Sequence, residues 1–182
     1  MVLPIYLYGH PVLKQVANDI DQDYPDLPQL IQNMWDTMNF AKGVGLAAPQ
    51  IGLSIRLFVV DTKPYYEDRK IDNHIQKVFI NPIIDEEYGK EWNYEEGCLS
   101  IPGIHAEISR PTHVKITYYD AHFNQHTEVF NEMNARVIQH EYDHIEGVLF
   151  VDHLSNFRKQ ILQKKLDKIR RGLFDAKYPI KQ

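Results

Sequence analysis

Apolar positions recur at helical spacing in some stretches of the chain and alternate in others. Leu27, Leu30, Ile31, Met34 and Met38 fall on one helical face and predict an amphipathic helix that Gly43 can stop. Met133, Val137, His140 and His144 form a second stripe, at spacings of four, three and four. That predicts a buried helix from about Asn131, with Glu132 complementing its positive end and Gly147 closing it. Phe157, Ile161, Leu162, Leu166 and Ile169 give a third stripe, on a helix capped by Ser155 and ended near Gly172. Pro11 can open a short helix through Ala17.

The strand-like stretches are Ile55–Val60 and Lys77–Ile80, the latter ended by Asn81-Pro82, then pieces within Ile83–Tyr94 around a turn near Gly89. Ile104–Arg110 and His113–Asp120 alternate, and a turn over Asp120–Gln125 returns the chain through His126–Phe130. Residues 62–76 are polar and read as a surface excursion. Gly43–Gly52 holds three glycines and Pro49, and predicts neither a regular helix nor a strand. It reads as a segment whose backbone approaches something closely. It is a poor phosphate cradle, because it lacks a Gly-Lys-Ser/Thr ending and Pro49 has no N–H. The order of elements predicts an α+β fold in which antiparallel strands surround the buried motif helix, with a helix at the C-terminus.

The 182 residues suit one domain, taken as 1–182 with 155–172 as its basic C-terminal helix. No apolar run approaches a membrane span, and Met1–Tyr6 lacks the basic lead of a secretory signal. Cys98 is the single cysteine, so no intrachain disulfide is available and cytoplasm is the expected compartment. Charge is uneven. Residues 156–182 carry nine Lys and Arg against two Asp, while residues 1–155 carry eleven against 23 acidic residues. Such asymmetry suggests a basic contact surface on the last helix.

The chemistry centres on His140-Glu141-Tyr142-Asp143-His144, an H-E-x-x-H pattern. On a helix, residues four apart share a face, so His140 and His144 can bind one ion. Glu141, one step round, can reach a water beside that ion. A catalytic metal usually has three protein ligands and an open position. Downstream, Glu146, Asp152 and His153 are candidates for the third; upstream, Cys98 offers the only thiolate, a good ligand for Zn²⁺ or Fe²⁺. A metallopeptidase would use the same pair of histidines. A non-catalytic Cys-His-His site would need a fourth ligand to close it. His105, His113, His122 and His126 lie on predicted strand faces or turns and read as surface or structural residues.

Three segments in order, Gly43-Val44-Gly45-Leu46-Ala47-Ala48-Pro49-Gln50, Glu96-Gly97-Cys98-Leu99-Ser100 and Gln139-His140-Glu141-Tyr142-Asp143-His144, resemble the motifs of peptide deformylases. The resemblance extends to the bacterial branch with a C-terminal helix. It implies a cytoplasmic, metal-dependent hydrolase of protein biosynthesis that removes the N-formyl group from N-formylmethionyl nascent peptides and releases formate. Cys98, His140 and His144 would bind the metal. Glu141 would accept a proton from the attacking water and pass it to the leaving amine. Gln50 and the Leu99 N–H would stabilise the oxyanion, and the Gly45 backbone would meet the substrate. Val44, Met133 and Val137 would then line a methionine pocket, with the place of Arg136, four before His140, left open. Iron as Fe²⁺ is the implied native metal, with Zn²⁺, Ni²⁺ or Co²⁺ as replacements. The expected partners are the nascent peptide and, through the basic helix, the ribosome. A monomer is expected.

Overall fold

A computed structural model describes residues 1–67, 69–70 and 72–182. In chain order the elements are β1 (Ile5–Tyr6), α1 (Leu27–Phe40), β2 (Gly45–Ala47), β3 (Leu57–Asp61), α2 (Lys63–Tyr66), β4 (Gln76–Cys98) and β5 (Ile101–Tyr119). They continue with β6 (Gln125–Asn131), α3 (Glu132–Ile145), α4 (Asn156–Arg170) and β7 (Ile180–Lys181). Strands β2 to β6 form one antiparallel sheet in sequence order, and β1 pairs with β7 in parallel. This is the α+β arrangement expected.

Strand β3 shows how the layers form. Leu57-Phe58-Val59-Val60 is apolar at every position, the pattern of a strand buried on both faces. Leu57 and Val59 pack with Ile31, Met34 and Met38 of α1. Phe58 and Val60 point the other way, into a cluster with Ala135, Val137 and Ile138 of α3 and with Phe79, Ile116 and Phe130 of the sheet. Helix α3 packs against β2, β3, β5 and β6, and its residues from Met133 to Gln139 are all buried. A third cluster joins β5 to Leu149, Phe150 and Val151 and to Leu166 and Ile169 of α4.

Several expected breaks are absorbed into longer strands. Asn81-Pro82 does not end a strand: β4 runs through it, with a register shift between Ile80 and Ile83. Asn81 takes a left-handed conformation at φ 47°, which asparagine tolerates. Its side chain accepts from the Ile20 N–H at 2.9 Å and donates to the Ile20 carbonyl at 2.6 Å. Gly89, at φ 89°, marks another shift inside β4 rather than a turn. The predicted strands Ile104–Arg110 and His113–Asp120 are one strand, since Pro111 pairs opposite Glu91 at that same irregularity.

Gly43–Gly52 does contain regular structure: β2, followed by a 3-10 turn over Ala48–Ile51. Helix α1 stops before Gly43, because Lys42 already turns left-handed at φ 57°. The helix expected from Pro11 is a 3-10 turn over Pro11–Lys14. The 62–76 excursion includes α2 and buries Thr62 and Tyr66; Asp68 and Ile71 of that stretch lie outside the described residues. The third apolar stripe is only partly used. Leu166 and Ile169 are buried, whereas Phe157 and Ile161 are 71% and 64% exposed. Among the described residues, no helix is long and apolar enough to cross a membrane.

Candidate metal centre and active site

Helix α3 brings His140 and His144 to one face, their ring centroids 5.1 Å apart. Cys98, at the end of β4, meets them from the long β4–β5 hairpin. One donor atom from each of the three lies within 4.8 Å of the others, and Cys98 Sγ is 3.3 Å from His144 Nε2. Bond lengths of about 2.3 Å to sulfur and 2.0–2.1 Å to nitrogen put tetrahedral ligand atoms about 3.5 Å apart, so this spacing suits a shared ion. Of the third-ligand candidates, Cys98 is the one in this cluster. Glu146 instead pairs with Arg56, Asp152 with Lys14, and His153 with Asp143.

Behind the cluster sits a buried charge network centred on Glu96. Glu96 lies two residues before Cys98 on β4, where the pleat turns both toward one face. Its Oε1 faces His140 Nδ1 at 2.8 Å and accepts from Arg110 Nη2 at 3.1 Å. Its Oε2 accepts from Arg110 Nε at 2.7 Å and from Arg136 Nη1 at 2.8 Å. Arg110 also donates to Asp143 at 2.9 Å. Arg136 is thereby placed: it donates to the carbonyls of Trp92 and Ile108 at 2.6 and 2.9 Å and stacks on the Trp92 ring at 4.5 Å. Two guanidiniums and two carboxylates balance, which suits their burial. Burial works to raise the Glu96 carboxyl, but hydrogen bonds from His140 and Arg110 hold it well below the usual carboxylate range. A carboxylate on Nδ1 fixes the imidazole tautomer and leaves Nε2 of His140 for an ion.

The electrostatics of the centre divide its two histidines. Burial opposes charge on His140, yet the thiol of Cys98 and the Glu96 carboxylate raise its pKa well above the usual histidine value. Burial and the neighbouring His140 push His144 well below it. Glu141 is buried, and burial raises its carboxyl to about 7 against the pull of His140. Its Oε2 has no hydrogen-bond partner among the described residues. A thiol and two imidazoles form a three-ligand donor set suited to a divalent transition metal, with an open position beside the Glu141 carboxylate.

Gln50 is aimed at the centre by its own backbone neighbour. The Ala47 N–H donates to Gln50 Oε1 at 2.9 Å, which turns Nε2 toward Cys98 Sγ at 3.4 Å and Ser100 Oγ at 3.3 Å. Gly45 answers the close-approach expectation from an unforeseen side: a Cβ there would lie 2.3 Å from Glu141 Oε1. The groups open onto a cavity of about 810 Å³ whose lining includes Val44, Gly45, Gln50, Leu99, Val137 and Glu141. Met133 is buried but is not part of this lining, so the wall from α3 begins at Arg136 and Val137. Phe174–Tyr178, outside every element the sequence pattern predicts, forms another side.

Comparison with known proteins gives the family. The family model described as polypeptide deformylase matches residues 2–160. A peptide deformylase of Cytophaga hutchinsonii is 54% identical, with the match covering 100% of this chain and 97% of that protein. One of Christiangramia forsetii is 50% identical, covering 100% and 96%. Among solved structures, a peptide deformylase from Legionella pneumophila superposes with a TM-score of 0.82 at 37% identity, covering 95% of this chain and 98% of that one. With the family model matching most of its length and relatives at half identity matching all of it, this chain belongs to the polypeptide deformylase family.

Proposed function

We propose that Cys98, His140 and His144 hold the divalent metal of this deformylase, and that Glu141, Gln50 and Leu99 perform its chemistry. Family membership gives the reaction: hydrolysis of the N-formyl group from newly made polypeptides. The observation that carries the residue assignment is the meeting of three donor atoms within 4.8 Å beside the buried carboxylate of Glu141. A divalent cation bound there supplies Lewis acidity, polarising the formyl group and making water acidic near neutral pH. Glu141 Oε2 takes the proton from the attacking water and returns it to the departing nitrogen, so no amide anion is expelled. Gln50 Nε2 and the Leu99 N–H donate to the developing oxyanion; comparable donors contribute about 2.7–4 kcal/mol each. Val44, Gly45 and Val137 face the methionine side chain and backbone, and Met133 supports Val137 from one turn away. The whole chain, 1–182, acts as one catalytic domain.

Iron as Fe²⁺ is the native metal in this reading, with Zn²⁺, Ni²⁺ or Co²⁺ as substitutes; the mixed thiolate and imidazole set accepts all of them. Anaerobic reconstitution with each metal, followed by formate release, ranks them, and Zn²⁺ protein matching the Fe²⁺ protein would reject the preference. The protein works as a cytoplasmic monomer on nascent chains, with α4 docking on the ribosome. The basic face of α4 and the exposed Phe157 and Ile161 support that docking.

The direct test is formate release from formyl-Met-Ala-Ser, compared with acetyl-Met-Ala-Ser and an internally cleavable peptide. Only the formyl substrate should turn over. Cleavage of the internal peptide bond at a similar rate would favour a metallopeptidase instead. Cys98→Ser should lower metal affinity, read by metal content after dialysis. Unchanged content would move the third ligand elsewhere.

A further inference from the structure

The chain after α4 turns back over the active site. Two anchors hold this last segment. At the helix end the Leu173 N–H donates to the Lys168 carbonyl at 2.9 Å. Beyond it, Ile5 donates to Pro179 and Leu7 to Lys181, each at 2.9 Å, as β1 and β7 pair. Between the anchors, Phe174–Tyr178 lines the cavity, and Phe174 lies 3.4 Å from the Cβ position at Gly103. The matched family model ends before this segment, at residue 160.

Tyr178 is half-buried, and its hydroxyl donates to the Leu99 carbonyl at 2.7 Å. Leu99 stands in the tight turn Cys98-Leu99-Ser100-Ile101 that joins β4 to β5. Gln50 reaches Cys98 and Ser100, and the Tyr8 N–H donates to the Ser100 carbonyl at 2.8 Å. These contacts secure the residues on either side of Leu99. The contact on its own carbonyl comes from Tyr178. Peptide groups are planar, so the direction of that carbonyl restricts ψ at Leu99 and with it the geometry of the turn. The N–H on the other side of the same Cα is the proposed oxyanion donor, and the residue before it is the proposed thiolate ligand.

We propose that Tyr178 is a positioning residue for the hydrolysis: by holding the Leu99 carbonyl, it keeps the Leu99 N–H aimed into the cavity. The C-terminal segment is on this account part of the active site rather than an appendage of α4. The inference rests on the reading that Gln50 and Leu99 stabilise the oxyanion.

The test is Tyr178→Phe in the full-length metal-loaded protein, which removes one oxygen and keeps the ring. Losing a neutral hydrogen bond that acts in the transition state should lower kcat about fivefold, with KM for formyl-Met-Ala-Ser held within about twofold. Amide hydrogen exchange over 98–101 should quicken. Unchanged kcat, unchanged exchange, or a loss confined to KM each overturns the proposal. Ile31→Val, a mild core change in α1, provides the stability control. If it reproduces the same fall in kcat, the effect is general and the proposal fails. Gln50→Ala is assayed alongside. If it leaves kcat intact, the oxyanion reading fails on its own, whatever Tyr178→Phe does.

Discussion

Helices α3 and α4 are similar in length, 14 and 15 residues, yet they meet their surroundings in opposite ways. Ten residues of α3 are buried, including Arg136, Gln139, Glu141 and His144. Only Leu166 and Ile169 of α4 are buried, and its charged residues face outward. The polar groups of α3 are affordable because most have partners: Arg136 and His140 share Glu96, and Gln139 donates to the carbonyls of Pro111 and Ala135. Three side-chain atoms of α3 are buried with no described partner: Arg136 Nε, Glu141 Oε2 and His144 Nδ1. Unmet buried polar atoms cost stability, and Glu141 carries its own beside the Cys98, His140 and His144 cluster, where chemistry rather than architecture accounts for it. On α4 the anomaly is reversed: large apolar side chains are left in solvent.

The sharpest way to break this contrast is Glu141→Ala. If Glu141 moves the proton, turnover falls by about 10²–10⁴ while the ligands still hold metal. Formate release and metal analysis on the same preparation check both halves. Metal content falling as steeply as activity would make Glu141 a structural residue and remove the distinction.

Glu96→Gln comes next. It leaves Arg110 and Arg136 facing a neutral amide in a buried site, which should cost about 3–5 kcal/mol of stability. It also loosens His140, so metal affinity should drop about 10–100-fold. Denaturant titration and metal competition measure the two effects. The folded carboxyl of Glu96 lies below its ordinary value of 4.5, so its stabilisation is complete above that pH. The stability gap between wild type and Glu96→Gln should therefore stay level above pH 4.5 and close as pH falls below it. A gap that widened in acid would contradict the ion-pair account.

Glu96 also shows where the sequence stops being readable. H-E-x-x-H carries its own geometry, because two histidines four apart on a helix face one way. Cys98 was accessible as the lone thiolate, and the apolar stripe from Met133 announced that α3 is buried. Glu96 opens the second of the resembling segments, but no spacing there assigns it a partner. An acidic residue in a strand among Glu91, Glu95 and Glu107 reads as solvated surface, and its partners lie 14, 40 and 44 residues away. Its spacing of two from Cys98 was the available signal. The long β4 and β5 were hidden for a related reason. Asn81-Pro82, Gly89 and Pro111 are turn signals locally, and only pairing across the hairpin converts them into bulges. Tyr178 was unreadable because its position depends on where α4 ends and on the pairing of the two chain ends.

A smaller effect is expected from Gly45→Ala. The new methyl would press on Glu141 from Oε1 back to Cγ, all side-chain atoms with no backbone among them, so the fold should survive. The carboxylate would be displaced, and misplacement of about 1 Å can cost up to about 100-fold in rate. A fall of about tenfold in kcat with an unchanged unfolding midpoint is the expected result. A fall in stability with intact kcat would mean that Gly45 serves packing alone.

The smallest effect separates the helices most cleanly. Replacing Phe157 and Ile161 together by serine removes two side chains that are already mostly exposed. Stability should change by no more than about 0.5 kcal/mol per site, and formate release should be unaffected. Co-sedimentation with ribosomes should weaken, and what binding remains should fall with salt through the Lys and Arg of α4. A comparable pair of changes on α3 would be expected to unfold the protein. Should the double serine variant lose several kcal/mol, the exposed stripe is covered in solution by something other than a ribosome, and a second copy of the chain becomes the first occupant to test by its oligomeric state.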